Sequence, residues 1–324
     1  MSAYRQNFIE ANGIRLHVAE QGEGPLVLLC HGFPETSHAW RHQLGALAQA
    51  GFHAVAPDLR GYGLSDCPEG IGQYTTLDVV GDLVALVGVL GESEGVIVGN
   101  DWGATIAWQA AMLRPDRFRG VVALGVPMMG RAPFAPSRLF PQNDQAWFYT
   151  HYFSKPGLAE SELKRDVAAT LRKIYFSASG DVGVRGASTP NPFGLVPRGK
   201  QYLDALGDFP SLPDWLGSSD LEVFVRAFNV SSFRGGLNYY RNLDRNWEMQ
   251  AAFEGLRIEV PALYLVGERD TGLAMPGMRE VIDAMPKIVP KLRKSDVVPT
   301  AGHWLPQEAP DVVNAALVEF LREL

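Results

Sequence analysis

Cysteine is scarce in this chain: Cys30 and Cys67 are the two among 324 residues. A disulfide framework needs more cysteines and an oxidising setting, so stability has to come from a packed core. Cys30 ends the apolar run PLVLLC (25–30) and reads as a buried small hydrophobe. Long apolar runs are also missing. The longest, such as GVVALGV, are strand-length, well short of the roughly 20 residues a membrane span needs. The opening MSAYRQNFIEANG has no basic stretch followed by an apolar one, so no signal peptide is expected. A basic excess is absent as well. Lys and Arg total 29 against 36 Asp and Glu, a net charge of −7, which argues against a broad nucleic-acid surface. Nor is there a tight His/Cys/Asp cluster with zinc-type spacing, so no metal is expected. These deficits point to a soluble protein of the reducing cytoplasm.

Hydrophobic residues make up 46%, enough for a sizeable core. The length suits one large domain carrying a smaller inserted one. An Asn12-Gly13 turn between two strand-like runs signals a hairpin. PLVLLC (25–30), HAVAPD (53–58), GVIVGN (95–100) and GVVALG (120–125) read as buried strands. TTLDVVGDLVALVGVL (75–90) reads as a helix between them. Such alternation predicts an α/β fold, a mostly parallel sheet covered on both faces. After Pro127 the pattern stops. Aromatics and prolines crowd the chain to Trp247, with no strand alternation, and residues 178–200 are Gly/Ser/Pro-rich, as in a long loop. Alternation resumes with PALYLVGERD (261–270) and SDVVPTAGHW, and EAPDVVNAALVEFLREL (308–324) reads as a last helix. The expected division is a core of residues 1–127 and 248–324 interrupted by a helical cap at 128–247.

GVIVGNDWGATIAWQAA is the most informative segment. A buried strand ends in Gly99-Asn100-Asp101-Trp102-Gly103 and a helix starts at once. This is the spacing of a nucleophile elbow with Asp at its centre. The tight turn strains the central residue, and the flanking glycines remove side chains that would collide. A helix N-terminus favours the ionised carboxylate. Asp in place of Ser changes the chemistry. A serine attacking saturated carbon leaves an ether, which water does not readily cleave; a carboxylate leaves an ester, which it does. Taken alone, Gly-x-Asp-x-Gly could equally be a turn with a helix cap.

Around this elbow stand HGFPET (31–36), DLRGYGLSD (58–66), GNDWGA (99–104), GERD (267–270) and GHW (302–304), with YTHYFSKPGLAE (149–160) and GLNYYRNLDRNW (236–247) between. In this order they resemble the α/β-hydrolase fold and, within it, the soluble epoxide hydrolases, over nearly the whole chain. The resemblance implies a core with an inserted helical lid and no cofactor. It implies Asp101 as nucleophile, His303 as the base activating water, and Asp270 orienting His303, in the chain order of that fold. Glu268 is the competing acid. The backbone N–H groups of Phe33 and Trp102 become the oxyanion donors, with Phe33-Pro34 a candidate cis bond. Two lid tyrosines would hydrogen-bond the epoxide oxygen. Tyr149 and Tyr240 match by position, with Tyr152 and Tyr239 as neighbours to be told from them. Trp147 and Phe153 are candidate substrate contacts in an apolar pocket. Asp58 and Arg60 are expected to shape a loop and to have no catalytic part. The partners implied are a small apolar epoxide and water, with a homodimer left open.

A haloalkane dehalogenase would use the same Asp, His and acid. It needs side-chain N–H donors for halide; Trp102 offers one, whereas Phe33 offers none. A fluoroacetate dehalogenase typically carries Arg where Trp102 stands. An esterase wants Ser at 101. A receptor that has lost catalysis should have damaged one of the five catalytic positions, and all five carry competent residues.

Overall fold

The computed structural model describes residues 4–186, 189–209 and 211–324. Asn12 and Gly13 both take positive φ, 53° and 71°, as a two-residue hairpin turn demands. They join β1 (Arg5–Ala11) to β2 (Ile14–Gln21). The chain continues through β3 (Leu26–Cys30), β4 (His53–Pro57), β5 (Gly95–Asn100) and β6 (Phe118–Leu124). Two short strands follow, β7 (Ala146–Phe148) and β8 (Leu195–Pro197), then β9 (Ala262–Gly267) and β10 (Leu292–Val298). Eight of these form one sheet in the order β1-β2-β4-β3-β5-β6-β9-β10. It is antiparallel across β1-β2-β4 and parallel from β4 to β10.

The parallel strands β3, β5 and β9 are buried at every residue. Continuous Val/Leu/Ile runs are what a sheet covered on both faces requires, so the sequence pattern and the architecture agree. The helix Thr76–Val89 begins at a capping box. Thr75 Oγ1 accepts from the Asp78 N–H at 3.2 Å, and Asp78 Oδ2 accepts from the Thr75 N–H at 3.0 Å. The helix Trp102–Leu113 leaves β5 directly.

Between β6 and β9 the chain is mainly helical, as expected, but β7 and β8 pair antiparallel within it. Three-residue strands are too short to register as a period-two pattern. β8 and the 3-10 turn Gly180–Val182 also give structure to the stretch 178–200 read as one long loop. Residues 187 and 188 of that stretch lie outside the described residues. The final helix is divided. Leu305–Glu308 ends before Ala309, and Pro310–Arg322 starts afresh. A residue preceding proline is pushed out of the α region, and Ala309 sits at φ −134°, ψ 55°.

The β6–β9 segment rests on loops at the carboxyl ends of the strands. The Tyr175 hydroxyl donates to Pro34 O at 2.6 Å, and the Tyr239 hydroxyl to Arg60 O at 3.0 Å. His303 N–H donates to Ala178 O at 3.0 Å. In open α/β sheets this carboxyl edge is where ligands bind. Among the described residues, no helix is long and apolar enough to cross a membrane.

Candidate active site

Asp101 occupies the turn between β5 and its helix with φ 55° and ψ −121°, a conformation that costs a non-glycine residue on the order of 1–3 kcal/mol. Neighbouring glycines make the turn sterically feasible. A Cβ on Gly99 would run into the Gly103 carbonyl, and one on Gly103 into the Cys30 carbonyl. Gly32 is bare for the same reason, since a Cβ there would strike the Asp101 side chain. The carboxylate does not turn back to cap its own helix. Its Oδ1 accepts the Phe33 N–H at 2.7 Å, and its Oδ2 lies 3.3 Å from His303 Nε2. A charge-assisted bond of this kind contributes about 1.5–3 kcal/mol, comparable with the strain of the turn. The simple helix-cap alternative for Gly-x-Asp-x-Gly is thereby set aside.

The Phe33-Pro34 bond is cis. His31 fixes the same loop from its other side. Its Nε2 accepts from the Leu59 N–H at 3.0 Å and its Nδ1 donates to Gly32 O at 2.9 Å. Asp58 and Arg60 are structural. Asp58 accepts from the Ser37 and Leu64 N–H groups at 2.8 and 3.1 Å, and Arg60 is forked onto Asp82.

His303 stands between two carboxylates. Its Nδ1 meets Asp270 Oδ2 at 2.9 Å, opposite the contact to Asp101. Asp270 is aimed by the Gly272 N–H, which donates to Oδ1 at 2.6 Å. Burial works against an imidazolium, but the charges and hydrogen bonds of Asp270 and Asp101 outweigh it and push the His303 pKa up to about 10. The pairing therefore adds stability that is complete below the free-histidine value of about 6.5 and fades as pH rises through about 10. Glu268, the competing acid, is exposed and accepts from the Thr300 N–H at 3.0 Å, so it does not serve His303.

A cavity of about 410 Å³ opens over this triad. Asp101, Trp102, Asp270 and His303 line it, together with Tyr149, Tyr240 and Phe193. The rings of Tyr149 and Tyr240 meet at 5.6 Å, and Tyr240 is edge-on to Trp102 at 5.2 Å. Burial raises both phenols above their ordinary range. The Asp101 charge adds to this in both, while a hydrogen bond with Trp102 partly opposes it for Tyr240. Both are thus held protonated. Their neighbours face elsewhere. The Tyr152 hydroxyl donates to Glu162 Oε2 at 2.6 Å and the Tyr239 hydroxyl is spent on Arg60 O.

Two expected substrate contacts need correction. Phe153 does not line the cavity; it is fully buried behind it, edge-on to Phe33, Tyr149 and Tyr240. Trp147 is turned away as well, with the Arg198 guanidinium 4.2 Å above its ring. Phe148 and Phe193 line the cavity instead. Aromatic composition marks a lid, but the facing of each ring depends on turns the sequence does not display.

Other residues escaped sequence reasoning. Glu308 is half-buried and accepts the N–H groups of Gly302 and Trp304, both at 2.8 Å, and so clamps the loop on either side of His303. It also takes the Gly180 N–H at 2.8 Å. Arg185 ties the acid loop to the β6–β9 segment, donating to Arg269 O at 2.6 Å and to Ser177 O at 2.9 Å. Glu35 lies wholly buried, bonded by Gln307 Nε2 at 2.7 Å. Burial, then the charge of Asp101, push its carboxyl up to about 7 against the pull of His303. Glu35 stood in plain sight in HGFPET; only burial distinguishes it.

Sheet order, elbow and triad together define an α/β hydrolase with a carboxylate at the nucleophile position. The family profile described as the alpha/beta hydrolase fold matches residues 25–310. Epoxide hydrolase A from Mycobacterium tuberculosis is 39% identical over all of this chain and 99% of its own. Epoxide hydrolase 1 from Siraitia grosvenorii is 37% identical over the full length of both. The solved epoxide hydrolase from an endophytic Streptomyces superposes with a TM-score of 0.91 at 40% identity, covering 99% of this chain and 96% of that one. The chain belongs to the α/β-hydrolase fold family and, within it, to the epoxide hydrolases.

Proposed function

We propose that this chain converts epoxides to vicinal diols through an ester on Asp101. The observation that carries the reading is one carboxylate held by the Phe33 N–H and His303 and facing a cavity that Tyr149 and Tyr240 also line. The two phenols bind the epoxide oxygen and give it a proton as the ring opens. Asp101 attacks a ring carbon from the back, and one C–O bond forms as another breaks. Alkylation removes the Asp101 charge, so His303 loses one of the two carboxylates that favour its imidazolium. The proton it then sheds restores the phenol that gave its own to the opening epoxide. Neutral His303, oriented by Asp270, draws a proton from water, which attacks the ester carbonyl. The oxyanion falls to the N–H groups of Phe33 and Trp102. Diol leaves and Asp101 is restored.

The 128–247 segment acts as the cap that carries both phenols, over a core of 1–127 and 248–324. The free thiols of Cys30 and Cys67 support a cytoplasmic setting. The dehalogenase alternative is weaker, because the indole of Trp102 is engaged with Tyr240 and Phe33 brings no side-chain donor. Small apolar epoxides should yield vicinal diols, and matched haloalkanes should release no halide; steady halide release with no diol would reverse the assignment. Removing both phenols (Tyr149→Phe with Tyr240→Phe) should slow ester formation by about 10²–10⁴-fold in a single-turnover measurement. Ester formation at the normal rate would leave the tyrosines as packing residues.

A further inference from the structure

Gln109 sits on the helix that begins at the elbow. Asp101, Thr105 and Gln109 recur every four residues, so they share one helix face, and all three line the cavity. Eight residues of helix correspond to about 12 Å, which sets Gln109 well away from the reacting carboxylate. The residue is 7% exposed and its side chain makes no hydrogen bond to another described residue, so its amide atoms are left to the cavity. A carboxamide in so enclosed a place is favoured when hydrogen-bonded, and the cavity is where Gln109 can find a partner. Further neutral polar residues line the same cavity: Thr150, Gln250 and Thr271 as well as Thr76 and Asn246. Thr76 and Asn246 are fixed to each other, with the Thr76 N–H donating to Asn246 Oδ1 at 3.0 Å. Much of the remaining wall is apolar, as at Met128, Phe148 and Met275, and among the described residues no lysine or arginine lines the cavity.

We infer that Gln109 forms a second recognition point for the substrate, accepting an epoxide whose remote end carries a neutral hydrogen-bonding group such as a carboxamide. An amide both donates and accepts, and so complements the Gln109 side chain. A remote carboxylate is disfavoured, since it finds no lysine or arginine among the described lining residues and meets the charge of Asp101. A purely alkyl end forgoes that hydrogen bond with Gln109. This inference rests on the epoxide-hydrolase reading and narrows it.

The test compares kcat/KM for three matched series of terminal epoxides, ending in carboxamide, alkyl or carboxylate, over several spacer lengths. At the best spacer, wild type should favour carboxamide over alkyl by roughly three- to tenfold, the scale of one neutral hydrogen bond. Gln109→Leu should reduce or invert that ratio, chiefly through KM. Gln109→Met provides a second apolar replacement should the leucine variant fold poorly. A ratio that is the same in wild type and both variants at every spacer, with diol still formed, overturns the subsite and spares the reaction. Carboxylate epoxides turning over best also overturns it. No diol from any series, or from a small unfunctionalised epoxide, overturns the reaction itself.

Discussion

Asp101→Asn lowers epoxide turnover by about 10⁴-fold or more, the scale seen when a covalent nucleophile is removed from a cooperating triad. The substitution keeps the volume of the side chain and its contact with the Phe33 N–H, so the fold at the elbow should survive. What it removes is the anionic oxygen that becomes the ester. Stopped assays at saturating epoxide measure the loss, with thermal unfolding as the control for folding. A second readout separates electrostatics from simple damage. His303 owes its pKa of about 10 to two carboxylates. Asp101→Asn withdraws one of them, so the imidazole titration followed by NMR should move down in pH. An unchanged His303 titration would mean that Asp270 alone sets the pair and that alkylation does not release the base. Near-normal turnover would remove Asp101 from the chemistry.

His303→Ala acts on the other half of the cycle. Asp101 remains ionisable and Tyr149 and Tyr240 remain in place, so alkylation continues. Water then attacks the ester without a base, slower by about 10²–10⁴-fold. Steady-state turnover falls by that factor, and nearly all the protein collects as ester during a single exposure. The signature is a burst of epoxide consumption equal to one substrate per chain, followed by a slow phase. A uniform slowing with no burst would place His303 in the first step instead.

How far the sequence carries depends on the kind of constraint. The elbow was legible because three requirements coincide there: an apolar run for a buried strand, glycines where a Cβ has no room, and a carboxylate between them. The hairpin at Asn12-Gly13 was legible for the same reason, since its backbone conformation selects the residues. Asp270 and His303 were legible by chain order, and the choice of Asp270 over Glu268 became clear only with the exposed position of Glu268. Trp147 and Phe153 were misplaced because an aromatic ring faces a cavity or its back wall according to turns with no sequence signature. Pro310 marks the true start of the last helix, two residues after the expected 308, because the residue before a proline leaves the α region. Glu308 and Arg185 bind backbone atoms brought close by folding, through pairs such as Gly302 and Gly180, and no local pattern marks such residues. Gln109 was invisible for a different reason. In sequence it is a polar residue on a helix, and only enclosure makes it unusual.

The most direct test of the covalent ester is the intact mass of the His303→Ala protein after exposure to an epoxide it consumes, with a variant also carrying Asp101→Asn as control. The predicted result is a gain equal to one whole epoxide, located by peptide mapping on Asp101 and absent from the control. Diol released without any adduct, or an adduct of equal yield in the control, would contradict the ester on Asp101.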